Sequence, residues 1–293
     1  YIMWLLEELK NKTYKHGGYT TFYVTEPKLR KIEKSRYIDR IVHRWLVDNF
    51  LEPAFIPQLI NTTYACIKNR GMHKACLDVQ KAMRKCKNKW GNYYILKMDI
   101  AKYFDNINKK ILLKIIERKI KDKNILWLIK EILYAQKREK GLEIGNYTSQ
   151  IFANIYLNEI DQYIKHKLKI KYYFRYMDDS TLFLQTKKEA IEALKKIKEY
   201  LKENLELELN KKTQIFKNKQ GVNFCGYKIN ENRLKIRDKG KRKLKKKVKK
   251  LKQQIKEEKI TSKEAYKYLA GHIGYIKIAD TYMLEESLFY TEE

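Results

Sequence analysis

Residues 172–185 read YYFRYMDDSTLFLQ: two runs of aromatic and aliphatic residues flank an adjacent acidic pair, Asp178 and Asp179. Runs of that composition around a short polar centre predict a β-hairpin with the two carboxylates at its tip. Neighbouring carboxylates at a tight turn repel one another and are costly unless a cation lies beside them. Aspartate is also common in turns for purely local reasons, so the hairpin by itself does not decide the chemistry.

The neighbouring elements carry the argument further. Residues 93–100 (YYILKMDI), bounded by Gly91 and Asn92, have strand composition and deliver Asp99 near the C-terminal end. If this strand and the hairpin share a sheet, three carboxylates from distant parts of the chain converge. Such convergence is what two-metal phosphoryl transfer requires, with two hard cations about 4 Å apart.

Helical periodicity fills most of the remainder. In 36–51, Ile38, Ile41, Val42, Trp45, Leu46 and Phe50 fall at helical spacing, and Pro53 is expected to end the helix. A longer helical stretch is predicted over about 108–134. Another spans 149–168, opened by Ser149 as a cap with Gly145 just ahead. A helix over 187–203 is expected to pack through Ile191, Leu194, Ile197 and Leu201, and 205–229 reads as short strands and turns. In 241–252 (KRKLKKKVKKLK) nine of twelve residues are basic, while Leu244, Val248 and Leu251 lie one turn apart, giving one apolar stripe under a cationic face. The order of elements predicts an α+β fold around a small antiparallel sheet. With three prolines, eleven glycines and no Gly/Ser linker, lobes rather than separate domains are expected.

Composition bounds the partners. The 293 residues carry 65 Lys plus Arg against 35 Asp plus Glu, a net charge of +30, and 44% hydrophobic content excludes a disordered tail. That excess points to a polyanion. Lysine outnumbers arginine 53 to 12, which favours sequence-independent phosphate contact over bidentate base reading. No run of about 20 apolar residues and no secretion signal is visible, so a cytoplasmic protein with no membrane partner is expected. Cys66, Cys76, Cys86 and Cys225 form no close pair, which argues for reduced thiols and against a paired-cysteine zinc site. His73 and Cys76, at H-x-x-C spacing, read as structural.

KMDIAKYFDNI (97–107) resembles the first catalytic motif of reverse transcriptases, and RYMDDSTLFL (175–184) resembles their Tyr-x-Asp-Asp motif. Between them, IGNYTSQIFANIYLNEID (144–161) resembles the motif that positions template and nucleotide. Most relatives begin that motif with Gln-Gly and end it with Ser-Pro; here Ile144 and Gly145, then Ser149 and Gln150, stand instead. This form is similar to the reverse transcriptases of diversity-generating retroelements, which copy a template unfaithfully at adenines. EPKLRKIEKSRYIDRIVHRWL (26–46), GVNFCGYKI (221–229) and GHIGYIKIADTYML (271–284) extend the similarity over about residues 20–285.

The resemblance implies a right-hand polymerase architecture. Residues 1–90 would form an N-terminal segment and fingers, 91–230 a palm with a fingers insertion at about 108–140, and 231–293 a basic helical thumb. It implies two Mg2+ ions, with Mn2+ as the substitute, bound by Asp99 and Asp178, with Asp179 assisting and the Ile100 carbonyl as a further ligand. Lys28 and Arg30 would grip the incoming dNTP triphosphate, and Phe104 would exclude a ribose 2′-hydroxyl. Lys212 would protonate the leaving pyrophosphate. Cys225, Gly226 and Tyr227, in FCGYKI (224–229), match the primer grip, where Gly226 permits close backbone approach. Ile144, apolar where relatives place Gln, is expected to loosen checking of the nascent base pair. The implied partners are a template RNA, a DNA or RNA primer, dNTPs and a small basic accessory protein. The competing readings are a retron, group II intron-like or phage-defence reverse transcriptase, or a non-catalytic basic RNA-binding protein.

Overall fold

The computed structural model describes residues 2–25 and 29–290. Among the described residues, nine short strands form three sheets, every strand pair antiparallel. A two-stranded ribbon pairs β1 (Tyr19–Val24) with β2 (Arg30–Ser35). The central sheet is built from β3 (Tyr94–Asp99), β4 (Tyr172–Tyr176), β5 (Asp179–Leu184) and β6 (Gln214–Lys217), in the order β4-β5-β3-β6. The third sheet orders β7 (Val222–Phe224), β8 (Tyr227–Ile229) and β9 (Leu234–Ile236) sequentially.

The central sheet is covered on both faces, which explains why its strands read as unbroken apolar runs rather than alternating ones. Leu96, Met98, Tyr173 and Leu182 enter one core with the helices Tyr147–Gln162 and Lys187–Leu205. Ile95, Phe174 and Phe183 enter a second core with the helix Met72–Trp90, the third sheet and the basic helix Asp238–Lys256. In that last helix Leu244, Val248 and Leu251 are buried as the stripe predicts.

Several local expectations are corrected. Pro53 does not end its helix: Tyr37–Leu46 runs into a wide turn, Val47–Leu51, and helix resumes at Glu52–Phe55 with the proline in its first turn, where it lacks no needed N–H. Ile41 and Trp45 are exposed, and the face that turns inward carries Asp39 and His43 beside Val42 and Leu46. The 108–134 stretch is two helices, Lys109–Lys119 and Lys123–Leu133. Ile120 is extended between them, and the side chains of Asn108 and Asp122 accept the first free N–H groups of each. Ser149 is not a cap but lies buried inside Tyr147–Gln162. Asn146, at the cap position, spends its side chain on β2, accepting from the Ser35 hydroxyl and backbone N–H and donating to the Glu33 carbonyl. Ile191 is exposed because Ala190 and Ala193, with Ile197 and Leu201, form the inward stripe of Lys187–Leu205.

Candidate active site

Register assembles the site. β3 and β5 pair so that Ile95 faces Phe183, Lys97 faces Thr181 and Asp99 faces Asp179. Side chains two residues apart share a face, so these three pairs form one column. Ile95 and Phe183 lie in the second core, and the column passes through a polar pair to an acidic pair at the end of the sheet. β4 and β5 close around Met177 and Asp178, with Tyr176 opposite Asp179. Met177 sits at φ 53°, as the first residue of a tight primed hairpin turn requires. A non-glycine residue held there costs on the order of 1 kcal/mol or more, so its surroundings must fix it.

Arg175 does so. Its Nη1 donates to the Met177 carbonyl at 3.1 Å, and its Nε and Nη2 donate to Asp161 at 2.8 and 2.6 Å. Asp161 also accepts from the Tyr173 hydroxyl at 2.6 Å and from Thr63 Oγ1 at 3.1 Å. Both members of the ion pair are fully buried.

The acidic end is different in kind. Burial, then the charge of Asp99, pushes the Asp178 carboxyl up to about 6, with Arg30 opposing from β2. Burial also raises Asp179, against the pull of Lys97. Lys97 Nζ donates to Asp179 Oδ1. Neither Asp99 nor Asp178 has an ion pair among the described residues. The donors are hard, anionic oxygens of the kind that suit Mg2+ or Mn2+, and their mutual repulsion is what a cation relieves. Among the described residues no three His, Cys, Asp or Glu side chains gather as a closed metal shell. With Asp179 bound to Lys97, the carboxylates left for a cation are those of Asp99 and Asp178.

The other predicted residues surround this rim unevenly. Ile100 follows Asp99 and bridges to Leu209, and the Asn210 N–H donates to the Asp99 carbonyl at 2.7 Å. That bond ties the turn carrying Lys212 to the strand end; Lys212 itself is exposed, as is Lys211. Arg30 is exposed at the start of β2, and Lys28 lies outside the described residues. Phe104 is half-buried in the short helix Tyr103–Asn106, edge-on to Tyr103. The Ile144 carbonyl accepts from Glu33 N at 2.9 Å. Gly145 has φ 125°, and a Cβ there would come within 2.9 Å of Ile32, so β2 itself demands the glycine. Cys225 and Gly226 turn β7 into β8 at φ 48° and 88°. The close approach at Gly226 is made by the Tyr275 hydroxyl, which donates to the Gly226 carbonyl at 2.6 Å and would meet an added Cβ. Tyr227 is buried and its hydroxyl donates to the Tyr275 carbonyl. The Cys225 thiol is pushed up, first by a hydrogen bond with Cys76, then by burial and by the charge of Asp179.

The family model for reverse transcriptase (RNA-dependent DNA polymerase) matches residues 20–229. The chain belongs to the reverse transcriptase family. Curated relatives include Protein YkfC of Escherichia coli, 25% identical over 69% of this chain and 63% of that protein. The group II intron-encoded protein LtrA of Lactococcus lactis is 26% identical over 57% of this chain and 28% of its own length. The putative COX1/OXI3 intron 2 protein of Saccharomyces cerevisiae is 25% identical over 52% and 26%. This reverse transcriptase chain therefore spans less than two thirds of each of these relatives. Among solved structures, telomerase from Candida albicans in complex with a TWJ fragment of telomeric RNA superposes with a TM-score of 0.58 at 13% identity, covering 81% of this chain and 49% of that one. That likeness is one of fold.

Sequence reading passed over Arg175, Asp161, Lys97 and Tyr275. Arg175 and Lys97 carried a faint signal, being cations inside strands whose neighbours are apolar. Their partners lie on other elements, and nothing in the spacing names them.

Proposed function

We propose that this chain is an RNA-directed DNA polymerase that extends a primer by two-metal nucleotidyl transfer. The observation that carries the reading is the register that sets Asp99 opposite Asp179, with Asp178 in the adjoining turn. On this reading residues 1–90 are the N-terminal segment and fingers, 91–230 the palm with its insertion, and 231–293 the thumb. Two Mg2+ or Mn2+ ions, held by Asp99, Asp178 and the Ile100 carbonyl, would lower the barrier to attack by the primer 3′-hydroxyl and neutralise triphosphate charge. Arg30, whose charge already reaches Asp178, and Lys28 hold the dNTP phosphates; Phe104 lines the sugar and Lys212 donates a proton to pyrophosphate. The Cys225 and Gly226 turn seats the primer end, and the basic face of Asp238–Lys256 follows the duplex backbone.

Within the family, Ile144, Gly145, Ser149 and Gln150 support a mutagenic enzyme of a diversity-generating retroelement, working with a structured template RNA and a small basic accessory protein. The similarity to LtrA and to the yeast intron protein supports a second reading, a group II intron-like enzyme. One assay series addresses both. Magnesium-dependent extension of a DNA primer on an RNA template is expected, falling at least a thousandfold in Asp178→Ala. Extension that survives Asp178→Ala would remove the polymerase reading. On adenine-containing RNA, Ile144→Gln is expected to lower misincorporation opposite adenine severalfold; an unchanged error rate would favour the intron-like reading.

A further inference from the structure

The three acidic side chains at the sheet end are not equivalent, and the difference lies in Lys97. Along β3 it precedes Asp99 by two residues on the same face, and it stands diagonally across from Asp179 on β5. Thr181, directly opposite, buries a hydroxyl without a partner, so the ammonium reaches past its nearest polar neighbour to Asp179. The lysine side chain is only 15% exposed. An ammonium so shielded is costly unless paired. Its second contact is the ring of Phe224, 4.6 Å from Nζ to centroid. Phe224 ends β7 and immediately precedes the Cys225 and Gly226 turn. One side chain thus bridges the acidic rim and the turn that the proposed function assigns to the primer end.

We propose that Lys97 is a positioning residue: it holds the Asp179 carboxylate off the metal ions, leaving Asp99 and Asp178 to bind them, and it fixes the β7–β8 turn through Phe224. The inference rests on the polymerase reading for its consequences in catalysis, but its central claim concerns cation binding and is read separately.

The sign of the effect separates this role from mere packing. Three carboxylates and Lys97 together present two net negative charges to a divalent ion; without the lysine they present three. Loss of the ammonium therefore strengthens attraction for the ion, whereas disordering of the rim weakens it. The experiment is a titration of the metal-free full chain with Mn2+, following free ion by electron paramagnetic resonance, with folding checked by circular dichroism. Lys97→Gln is expected to bind Mn2+ about tenfold more tightly, yet to extend a primer about tenfold more slowly, because the freed Asp179 competes for the ion and the turn loosens. Lys97→Arg is expected to restore both values to near those of the unsubstituted chain.

The charge-neutral double substitution Lys97→Gln/Asp179→Asn supplies the second arm and does not depend on the single variant folding. If Asp179 is not a ligand, the pair's charges cancel and Mn2+ affinity stays within about twofold of the parent. A loss of tenfold or more in the double variant, or unchanged or weaker binding in folded Lys97→Gln, overturns the proposal. Should the parent chain fail to extend any primer, the polymerase reading falls, while the Mn2+ titration still decides the role of Lys97.

Discussion

The tip of the hairpin and the helix side chain packed beneath it face opposite electrostatic problems. Asp161, beneath the turn, is fully buried but accepts hydrogen bonds from Arg175, Tyr173 and Thr63. Asp178, in the turn itself, has no such partners: burial, then the charge of Asp99, pushes its carboxyl up to about 6. Both aspartates are withdrawn from water, and what separates them is that Asp161 has a cation and two hydroxyls to answer its charge. The satisfied pair is a fixed part of the frame, and the unsatisfied rim is where a mobile cation has something to gain.

The largest expected effect breaks the satisfied side. Arg175→Met leaves Asp161 buried without its cation and should cost about 3–5 kcal/mol in urea unfolding. Replacing both partners, Arg175→Met with Asp161→Leu, should recover most of that loss, because the desolvation cost of the charges disappears with them. A single variant that loses less than about 1 kcal/mol would show that the pair does not support the turn.

A smaller effect tests the unsatisfied side. Protonation of Asp178 removes a ligand, so Mn2+ affinity should fall as pH drops through about 6. Asp178→Asn should bind weakly at every pH and lose the step near 6. A parent chain whose affinity is flat between pH 5 and 7.5 would place the binding charge elsewhere.

How much of this contrast was legible beforehand follows from the range of each interaction. The hairpin, the strand ending in Asp99 and the stripe Leu244, Val248 and Leu251 are local patterns, and they were readable because period and composition are written within a dozen residues. The pairing of Asp99 with Asp179 was inferable only as a requirement of chemistry. Arg175 with Asp161, Lys97 with Phe224 and Tyr275 with Gly226 join elements far apart in sequence, and no periodicity encodes them. The same limit misplaced Ile191 and Ser149: each has the right residue type for its expected role, but neighbouring alanines and the β2 contact decided which face and which cap prevailed.

The smallest effect sharpens the comparison most directly, because it predicts opposite signs for Asp178 in the hairpin turn and for Asp161, which reaches the same hairpin from the helix Tyr147–Gln162. Without divalent ions, the raised Asp178 carboxyl means that the folded state holds a proton the unfolded chain has already released. Stability from this group is complete below about pH 4, the ordinary carboxylate value, and is lost as pH rises through about 6. Asp178→Asn removes the charge and the loss together. At pH 7.5, with divalent ions chelated, it should gain about 1 kcal/mol after solvent screening, a rise of about 2–4 °C in melting temperature. At pH 4 the difference should vanish. Saturating Mg2+ should reverse the order, since the ion stabilises only the chain that keeps its ligand. Asp161→Asn should destabilise under all three conditions, because its charge is already answered by Arg175. If Asp178→Asn instead lowers the melting temperature of the metal-free chain at pH 7.5, the acidic rim is not strained, and the contrast between Asp178 and Asp161 is lost.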